Sequence, residues 1–347
     1  MSILTKEQLD DRKSEARKRE IRQNVKSHCT KIRDGIRKNG STSGNRAIWE
    51  LFQNAGDLAK DGCAKIRITL NEGHFIFAHK GEPFTDDSLC SLIKQVSAEE
   101  KEGDDTVGQY GTGFLTTHKF SRKITVNGSM QICDNPLVFV DVDDFVINRE
   151  NFDDIPKFID DMTEQIAYVE GLMDAEQKPS AKDWTTLDYE LNKERTAVAQ
   201  TAIDEAIKLM PYVLTFNDKI GSCAIIDNTR GFKKTYNKCD KETGLKGLLC
   251  KSILISDNDG DPIPFDCYYL ELHEGESRII LPLETETQVR SLGDTPRLFV
   301  HFPLIGQNYF GVNFLFHSHR FTPEEPRDNI IVPRDNDATQ AAADRNA

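Results

Sequence analysis

The chain has 347 residues, of which 38% are hydrophobic and 29% are charged, and its formal net charge is −13. This length indicates two domains or one large one, and the composition supports a hydrophobic core, which excludes a wholly disordered chain. A protein that binds nucleic acid over its whole surface is usually basic, so the acidic balance disfavours that role.

The eight cysteines occur singly, and no Cys-x-x-Cys motif is present. This spacing predicts neither a zinc site nor a redox-active pair, and it is typical of buried thiols in a reducing compartment. The first residues, MSILTKEQLDDRK, lack the apolar core of an export signal. No stretch approaches the roughly 20 apolar residues of a membrane-spanning helix. We therefore expect a cytoplasmic protein with no membrane partner.

Residues 1–40 are predicted to form a charged helical arm. Charged residues and helix formers dominate this segment, and Gly40 marks its end. Ile21, Val25 and Ile32 give it only a narrow apolar stripe, which is typical of a solvated helix or of an arm that packs on a partner. An arm that binds nucleic acid is the alternative.

The stretch AIWELFQNAGDLAKDG, residues 47–62, follows turn and capping residues at 41–45 and is predicted to be a buried helix. Because successive helical residues are rotated by ~100°, Glu50, Asn54 and Asp57 share one face. Apolar residues cover the other faces, so this helix places polar groups where they need a partner or a function. An ordinary amphipathic helix with a polar stripe is the alternative.

Residues 64–79 are predicted to form a hairpin, because two alternating stretches, AKIRITL and HFIFAH, flank the turn residues NEG. A helix is expected in TDDSLCSLIKQVS, with Thr or Asp as its cap. Gly81 lies between this hairpin and this helix, where a base or sugar could pass close to the backbone. A simple turn is the alternative interpretation.

The stretch VGQYGTGF, residues 107–114, is rich in glycine. Gly108, Gly111 and Gly113 allow the backbone N–H groups to approach a bulky anion, and a helix that begins at Phe114 would add a favourable dipole. The absence of a following Gly-Lys-Ser/Thr excludes a Walker loop. The stretch also departs from the dinucleotide fingerprint, whose glycines directly follow a strand.

The remainder is predicted to be rich in strands. Strands are expected within 122–147 and in DWTTLDYEL, and helices are expected in the acidic region 150–182 and in NKERTAVAQTAIDEAIKLMPYVLTF, the latter ending near Pro211. The region 220–320 is strand-rich, and SDNDGDPIPFD is interpreted as a hairpin turn rather than a calcium loop. His317 and His319 lie on one strand face, but no third metal ligand is evident.

In their order along the chain, ELFQNAGDLA, the Gly81 segment and GQYGTGF resemble the GHKL ATPase superfamily, which includes DNA gyrase, the ninety-kilodalton heat-shock chaperone, histidine kinases and MutL. The residues look most like the chaperone branch. The stretches PRLFVHFPLIG and FLFHSHRFTPEEPRDNI also resemble sacsin-type relatives. The resemblance covers about residues 41–220 and extends more weakly to about residue 332.

This resemblance implies a Bergerat-type ATP-binding fold at residues 41–220. Such a fold is a two-layer α/β sandwich, in which helices cover one face of a mixed, largely antiparallel sheet. A smaller, strand-rich α/β segment is expected at residues 221–333, and a disordered tail at 334–347.

The resemblance also implies a role for each matching residue. Glu50 is the expected general base that activates the water attacking the γ-phosphate of ATP, Asn54 the expected Mg²⁺ ligand, and Asp57 a brace for the polar network. Thr185 is expected beside adenine, with Thr186 as the second choice, and segment 86–107 is expected to be a mobile lid. The residues expected to contact the nucleotide are Gly81, Phe84, Ser97, Lys101, Gly108, Gln109, Tyr110, Gly111, Thr112, Gly113, Phe114, Thr185 and Leu187.

One position departs from the family pattern. The family has an Asp that accepts a hydrogen bond from the adenine amino group; here His79 occupies that position, and Pro83 replaces the second glycine. A neutral imidazole can accept one hydrogen bond and a protonated one cannot, so nucleotide affinity is expected to fall below the pKa of His79. On this expectation, affinity that stays constant from about pH 8 to about pH 5.5 counts against contact between His79 and adenine.

Two arginines of the later segment are candidates for contact with the γ-phosphate. In relatives a basic residue from the following domain performs this role, and Arg320 or Arg327 could offset charge in the transition state. A surface salt bridge is the alternative for either residue.

The function expected from the resemblance is slow, Mg²⁺-dependent ATP hydrolysis that drives lid closure and transient homodimerisation in a chaperone-like or defence-related ATPase. The rivals are a nucleotide-binding scaffold without turnover, a DNA-linked ATPase of the MORC or MutL type, and a histidine kinase. A kinase would need a phosphoacceptor helix pair, and His28 has no partner helix in the sequence. The acidic charge disfavours nucleic acid as a partner.

Overall fold

A computed structural model describes residues 5–38, 44–95, 113–272, 275–305, 311–323 and 330. The α-helices in these ranges are α1 (Lys6–Lys38), α2 (Gly44–Asp57), α3 (Asp86–Lys94), α4 (Ile155–Leu172) and α5 (Lys193–Phe216). Short 3₁₀ helices span Lys60–Gly62 and Gly113–Lys119. The strands are β1 (Ala64–Asn71), β2 (His74–Lys80), β3 (Lys123–Asp134), β4 (Leu137–Asn148), β5 (Gln177–Lys178), β6 (Thr185–Glu190), β7 (Ile220–Asp227), β8 (Phe232–Lys241), β9 (Leu249–Asp257), β10 (Ile263–Leu272), β11 (Ser277–Ile280), β12 (Leu283–Thr285), β13 (Gln288–Val289), β14 (Leu298–Val300), β15 (Phe302–Pro303) and β16 (Leu315–Ser318).

The chain divides into two compact units, each built from two separate segments. Unit 1 consists of Met1–Ser41 and Pro83–Glu190, and unit 2 consists of Thr42–Glu82 and Leu191–Ala347. The domain boundaries expected from the sequence near residues 40, 220 and 333 stay predictions, and the tail predicted at 334–347 lies outside the described residues.

In unit 1, four antiparallel strands are hydrogen bonded in the order β6-β3-β4-β5. Alternate residues of β3, such as Ile124 and Val126, are buried, as expected for a strand with one face in a core. Helix α4 packs on β4, and α1 and α3 pack on α4. The strands predicted within 122–147 are thus confirmed as a long hairpin of β3 and β4.

The predicted N-terminal helix is confirmed as α1, and its apolar stripe packs within unit 1. Val25, Cys29 and Ile32 are buried, and the Cys29 sulfur lies 3.9 Å from the sulfur of Met162 in α4. The spacing of four and three residues puts this stripe on one helix face. Cys29, which was not among the residues predicted for the stripe, completes it.

Arg149 follows β4 directly and joins three elements of unit 1. Its side chain is fully buried and donates hydrogen bonds to Gln165 Oε1 in α4, at 2.9 Å, and to the carbonyl oxygen of Ile93 in α3. Burial lowers the pKa of Arg149 to about 10, so the guanidinium group remains charged near neutral pH. The hydrogen bonds that this buried guanidinium group donates offset part of the free-energy cost of removing its charge from water.

In unit 2, ten strands are hydrogen bonded in the order β15-β14-β16-β11-β10-β9-β8-β7-β1-β2, and β12 and β13 form a separate pair. The β1–β7 and β14–β16 pairs are parallel, and the other described pairs are antiparallel. Burial alternates along β1, and α2 and α5 pack on these strands. The expected fold class, a mixed and largely antiparallel sheet with helices packed against it, is confirmed.

Helix α5 does not end near Pro211, as the sequence predicted, but continues to Phe216. Proline removes one helical hydrogen bond, which usually ends or kinks a helix. Here every residue from Leu209 to Phe216 is buried, and the Thr215 hydroxyl donates to the Pro211 carbonyl at 2.8 Å. Tertiary packing of this last segment therefore outweighs the local cost of the proline.

Shorter predictions of local structure are confirmed. Strands β1 and β2 form the expected hairpin, with Asn71 opposite His74 at the turn. Thr85 caps α3, and its hydroxyl accepts from Ser88 N at 3.1 Å. The SDNDGDPIPFD stretch connects β9 to β10 in a hairpin. The eight cysteines are free thiols, and none of the described helices is long and apolar enough to cross a bilayer.

Candidate functional site

Helix α2 carries the polar residues that the sequence singled out. Because Gly44–Asp57 is helical throughout, Glu50, Asn54 and Asp57 lie on one face, as expected from their spacing. The opposite faces enter the core of unit 2: the Phe52 and Phe77 rings lie 5.6 Å apart, and the Trp49 ring stacks on Phe302 at 5.9 Å. This packing fixes the rotation of α2 about its axis and hence the direction of its polar face.

Glu50 is the most buried of the three polar residues, with 6% of its surface exposed. Its Oε1 lies 3.4 Å from Nη2 of Arg46, one helical turn earlier, and the Arg46 side chain is only 12% exposed. A carboxylate this inaccessible to water requires a partner, and the guanidinium group supplies one. Arg46 was not predicted as a site residue, although its i,i+4 spacing to Glu50 was a usable signal.

Asp57, at the end of α2, is held by a cation from a distant part of unit 2. Its Oδ1 lies 3.3 Å from Nζ of Lys219, which precedes β7, and the Asp57 side chain is 20% exposed. The two residues are 162 positions apart, so the sequence contained no local signal for this pair. Each carboxylate on the polar face of α2 therefore has a basic partner.

Asn54 lies between the two carboxylates on the helix face and is half-buried. Its main-chain carbonyl accepts the hydrogen bond from Leu58 N at 3.2 Å, which continues the helix. The side-chain amide makes no hydrogen bond to any residue in the described ranges. An amide oxygen in this position can bind a hard cation such as Mg²⁺.

The end of β2 lies against the end of α2. The Leu58 carbonyl accepts a hydrogen bond from Glu82 N at 2.8 Å. A Cβ atom at Gly81 would lie 2.4 Å from the same carbonyl oxygen and 3.1 Å from Nδ1 of His79. Gly81 is therefore the residue that allows the backbone after β2 to approach the end of α2, which brings the predicted residues Asp57, His79 and Gly81 into one region of unit 2.

His79 continues the core face of β2. Phe75, Phe77 and His79 alternate along the strand and are all buried, and His79 is 5% exposed. Its Nδ1 is buried and has no hydrogen-bond partner among the described residues. Burial lowers the pKa of His79 to about 4, so the imidazole is neutral near physiological pH.

This pKa corrects one expectation from the sequence. The ordinary pKa of histidine places the loss of nucleotide affinity within the range from about pH 8 to about pH 5.5. With a pKa of about 4, His79 remains neutral throughout that range. Affinity that is constant there no longer counts against contact between His79 and adenine.

In unit 1, two residues expected to contact the nucleotide meet at Gly128 of β3. A Cβ atom at Gly128 would lie 3.1 Å from the Thr185 hydroxyl and 3.5 Å from the Phe84 ring. Thr185 and Leu187 are both 7% exposed. Phe84 makes two main-chain hydrogen bonds with β3: its N–H donates to Ser129 O, and its carbonyl accepts from Gln131 N. Gly128 was not predicted as a site residue; it lies within a strand pattern and leaves room for both side chains.

The glycine-rich stretch is described only at its end. Gly113 and Phe114 begin the 3₁₀ helix Gly113–Lys119, and Phe114 is buried. The Thr116 and Thr117 hydroxyls bond back to the carbonyls of Gly113 and Phe114, at 2.7 and 2.8 Å. The other predicted residues of the loop and lid lie outside the described residues and stay predictions: Ser97, Lys101, Gly108, Gln109, Tyr110, Gly111 and Thr112.

Of the two candidate arginines, Arg320 is described. It is an exposed residue whose Nε lies 2.8 Å from Oε2 of Glu276. This contact is the surface salt bridge expected as the alternative role of this arginine. The role of Arg320 at a γ-phosphate stays a prediction, and Arg327 lies outside the described residues.

Comparisons with known proteins find similarity at the level of structure and not of sequence. No protein-family model and no curated protein matches the sequence. The chain is similar to the B-subunit of the DNA gyrase from Myxococcus xanthus, at 8% sequence identity and a TM-score of 0.39, over 86% of this chain and 93% of that one. A likeness at this TM-score supports no conclusion about function.

Substitution of Gly81 by alanine is expected to destabilise the protein. The new Cβ would lie 2.4 Å from a main-chain oxygen that cannot move aside, so the free energy of unfolding should fall by about 1–3 kcal/mol. Urea denaturation measures the change. The control is Gly171→Ala in α4, where a Cβ meets nothing within 4 Å and helix propensity should increase stability. Unchanged stability of Gly81→Ala would contradict the close approach.

The buried His79 should make stability depend on pH. Its pKa is about 4 in the folded chain and about 6.5 in the unfolded chain, so only the unfolded chain binds this proton as the pH falls between those values. The free energy of unfolding should therefore be lower by about 3 kcal/mol at about pH 4 than at about pH 7. The difference in unfolding free energy between wild type and His79→Gln isolates this effect, because the other histidines contribute to both proteins. A difference that is independent of pH would contradict burial of His79.

Proposed function

We propose that this protein binds ATP with Mg²⁺ and hydrolyses it slowly, through the polar face of α2. The observation that carries the proposal is the combination, on one helix face, of a buried carboxylate at Glu50 and a half-buried amide at Asn54 that makes no hydrogen bond within the described residues. The ordered motifs of the sequence assign the same two residues to water activation and Mg²⁺ binding in GHKL ATPases.

Glu50 is the proposed general base. Its carboxylate accepts a proton from a water molecule as the water oxygen bonds to the γ-phosphorus, and the bond from phosphorus to the bridging oxygen breaks, leaving ADP with the electron pair. The ion pair with Arg46 fixes the Glu50 side chain on its helix face, and Oε1 is the oxygen that faces the guanidinium group. The second carboxylate oxygen, Oε2, is the proton acceptor in this proposal.

Asn54 is the proposed Mg²⁺ ligand. The site fits this ion, because Mg²⁺ prefers oxygen ligands and the Asn54 amide has no other partner in the described ranges. Held by Asn54, Mg²⁺ would supply positive charge that offsets the negative charge of the phosphates. Asp57 cannot bind the ion while its carboxylate is paired with Lys219. We propose that it orients the end of α2 instead.

His79 and Gly81 are the proposed contacts for adenine. The Nδ1 atom of His79 has no hydrogen-bond partner among the described residues. In the neutral imidazole it can accept one hydrogen bond, and the adenine amino group would donate that bond. Gly81 has no side chain to obstruct the approach of a planar ring. The low pKa of His79 keeps the acceptor form available at all physiological pH values.

Within this proposal, the protein is a cytoplasmic, chaperone-like ATPase of the heat-shock and sacsin branch that dimerises transiently as its lid closes. The motif ELFQNAGDLA supports the branch, and the eight free thiols are compatible with a reducing compartment. Lid closure and dimerisation would couple ATP binding to a conformational change.

A nucleotide-binding scaffold without turnover is the second candidate, and one observation favours it. Oε1 of Glu50 already accepts a hydrogen bond from Arg46, so the carboxylate has a structural partner. A Glu50 that serves only this pair would leave binding intact without supporting hydrolysis. The two candidates therefore differ in turnover and agree in binding.

Replacement of Glu50 by glutamine tests the proposal. The amide preserves the size of the side chain but cannot accept the proton, so phosphate release should slow by roughly 100-fold or more. Affinity for a non-hydrolysable ATP analogue with Mg²⁺ should stay within about threefold of wild type, because ground-state contacts persist. Both quantities are measured on the full chain, by phosphate release and by calorimetry.

The matched control is Glu72→Gln, which makes the same change in the exposed turn between β1 and β2 and should leave both quantities unchanged. Wild-type turnover in Glu50→Gln would overturn the assignment of the base. Binding without turnover in the wild type would establish the scaffold, and absence of binding in the wild type would overturn both candidates.

A further inference from the structure

Three histidines of unit 2 meet at the edge of its sheet. His317 is in β16, His319 follows that strand directly, and His301 lies between β14 and β15. The parallel pairing of β14 with β16 places Phe299 opposite His317, so His301, two residues after Phe299, lies near the end of β16. The three imidazoles come together there, with ring centroids 4.4 to 5.2 Å apart.

The ring nitrogens of these residues lie at distances that suit metal ligands. One nitrogen from each ring lies within 4.8 Å of those of the other two. His319 Nδ1 and His301 Nε2 are 3.0 Å apart. Two nitrogens bound to one tetrahedral Zn²⁺ at about 2.0–2.1 Å are about 3.3 Å apart, so this pair needs only a small adjustment to bind the same ion.

His317 has the surroundings of a metal-ligating imidazole. It is fully buried, and its Nδ1 lies 3.3 Å from the Phe299 carbonyl oxygen. Its Nε2 is buried and has no hydrogen-bond partner in the described part of the chain. When Nδ1–H donates to a backbone carbonyl, the lone pair of Nε2 is directed to a metal, which is the usual arrangement of ligating histidines.

A second contact of His317 favours the other tautomer. The His301 main-chain N–H lies 3.1 Å from Nδ1 of His317 and can donate to it only when Nδ1 carries no proton. In that tautomer the proton is on Nε2, which then cannot bind a metal. The two tautomers give the cluster a metal-free form and a metal-binding form that differ in the position of one proton.

The surrounding charges favour a nitrogen donor set. Asp218 and Glu276 act electrostatically on His319, but both carboxylates are already engaged. Asp218 Oδ2 lies 2.7 Å from Nη2 of Arg278, and Glu276 Oε2 lies 2.8 Å from Nε of Arg320. Three imidazoles with no free carboxylate beside them in the described part of the chain select a transition-metal ion over Mg²⁺ or Ca²⁺.

We propose that His301, His317 and His319 form a binding site for one Zn²⁺ ion. The exposed imidazole of His319 gives the ion access from solvent, and the buried imidazole of His317 anchors it. Three histidines leave one tetrahedral position for water or another ligand. The ion would join β14 and β16 near their ends and stabilise the folded chain, independently of ATP binding.

Zinc binding to the reduced, full chain without an affinity tag tests the proposal. Titration against a chromophoric zinc chelator should show one tight site in the wild type. His319→Gln removes the exposed ligand, and His301→Asn removes a ligand at φ 62°, a conformation that asparagine tolerates. Each variant should lose more affinity than the roughly 10- to 100-fold that follows loss of an outer-shell partner.

The control is His74→Gln, which removes an exposed histidine at the beginning of β2 and should bind zinc as the wild type does. Zinc should also raise the melting temperature of the wild type and not that of His319→Gln, which is a readout independent of the chelator. Equal zinc affinity in the wild type and both cluster variants would show binding at other groups, such as thiols, and would overturn the proposal. Absence of a tight site in the wild type would overturn it as well.

Discussion

The burial of the Glu50 carboxylate is the constraint on which the candidate site depends. A carboxylate at 6% exposure loses most of its hydration. A nearby cation is needed to offset the free-energy cost of burying this charge. Arg46 provides that cation from the preceding helical turn, and the apolar residues of α2 hold both side chains on one side of the helix. The position of Asn54, one turn after Glu50, follows from the same helix geometry.

The end of α2 packs against the end of β2 and fixes its position. Because Gly81 lets the backbone pass close to the Leu58 carbonyl, the end of the strand is fixed relative to the helix that carries the polar face. The histidine at position 79 also has a physical reason. At 5% exposure and without a partner among the described residues, an ionised Asp would be costly, whereas a neutral imidazole offers an acceptor at a smaller desolvation cost.

Local structure was largely predictable from the sequence, because it depends on residues that are close along the chain. The period of α2, the β1–β2 hairpin and the Thr85 cap are examples. The end of α5 was not predictable, because the burial of its last residues, and not its proline, determines where the helix ends. Contacts between distant residues gave no local signal either, as for Asp57 with Lys219.

The histidine cluster illustrates the same limit for site prediction. His317 and His319 were visible as a same-face pair, but His301 lies 16 residues before the first of them and joins the pair only through the β14–β16 register. Glu50 and Asn54 were predictable as candidates because helical spacing alone places them together. The pairing of Asp57 with Lys219, the close approach of Gly81 and the low pKa of His79 required the folded chain.

A crystal structure of the protein with a non-hydrolysable ATP analogue and Mg²⁺ examines the central claim most directly. We expect the Asn54 amide oxygen to lie about 2.1 Å from Mg²⁺. We also expect a water molecule within hydrogen-bond distance of the Glu50 carboxylate, in line with the γ-phosphorus. A nucleotide bound away from the polar face of α2, or one with Glu50 and Asn54 out of reach of its phosphates, would contradict the proposed site.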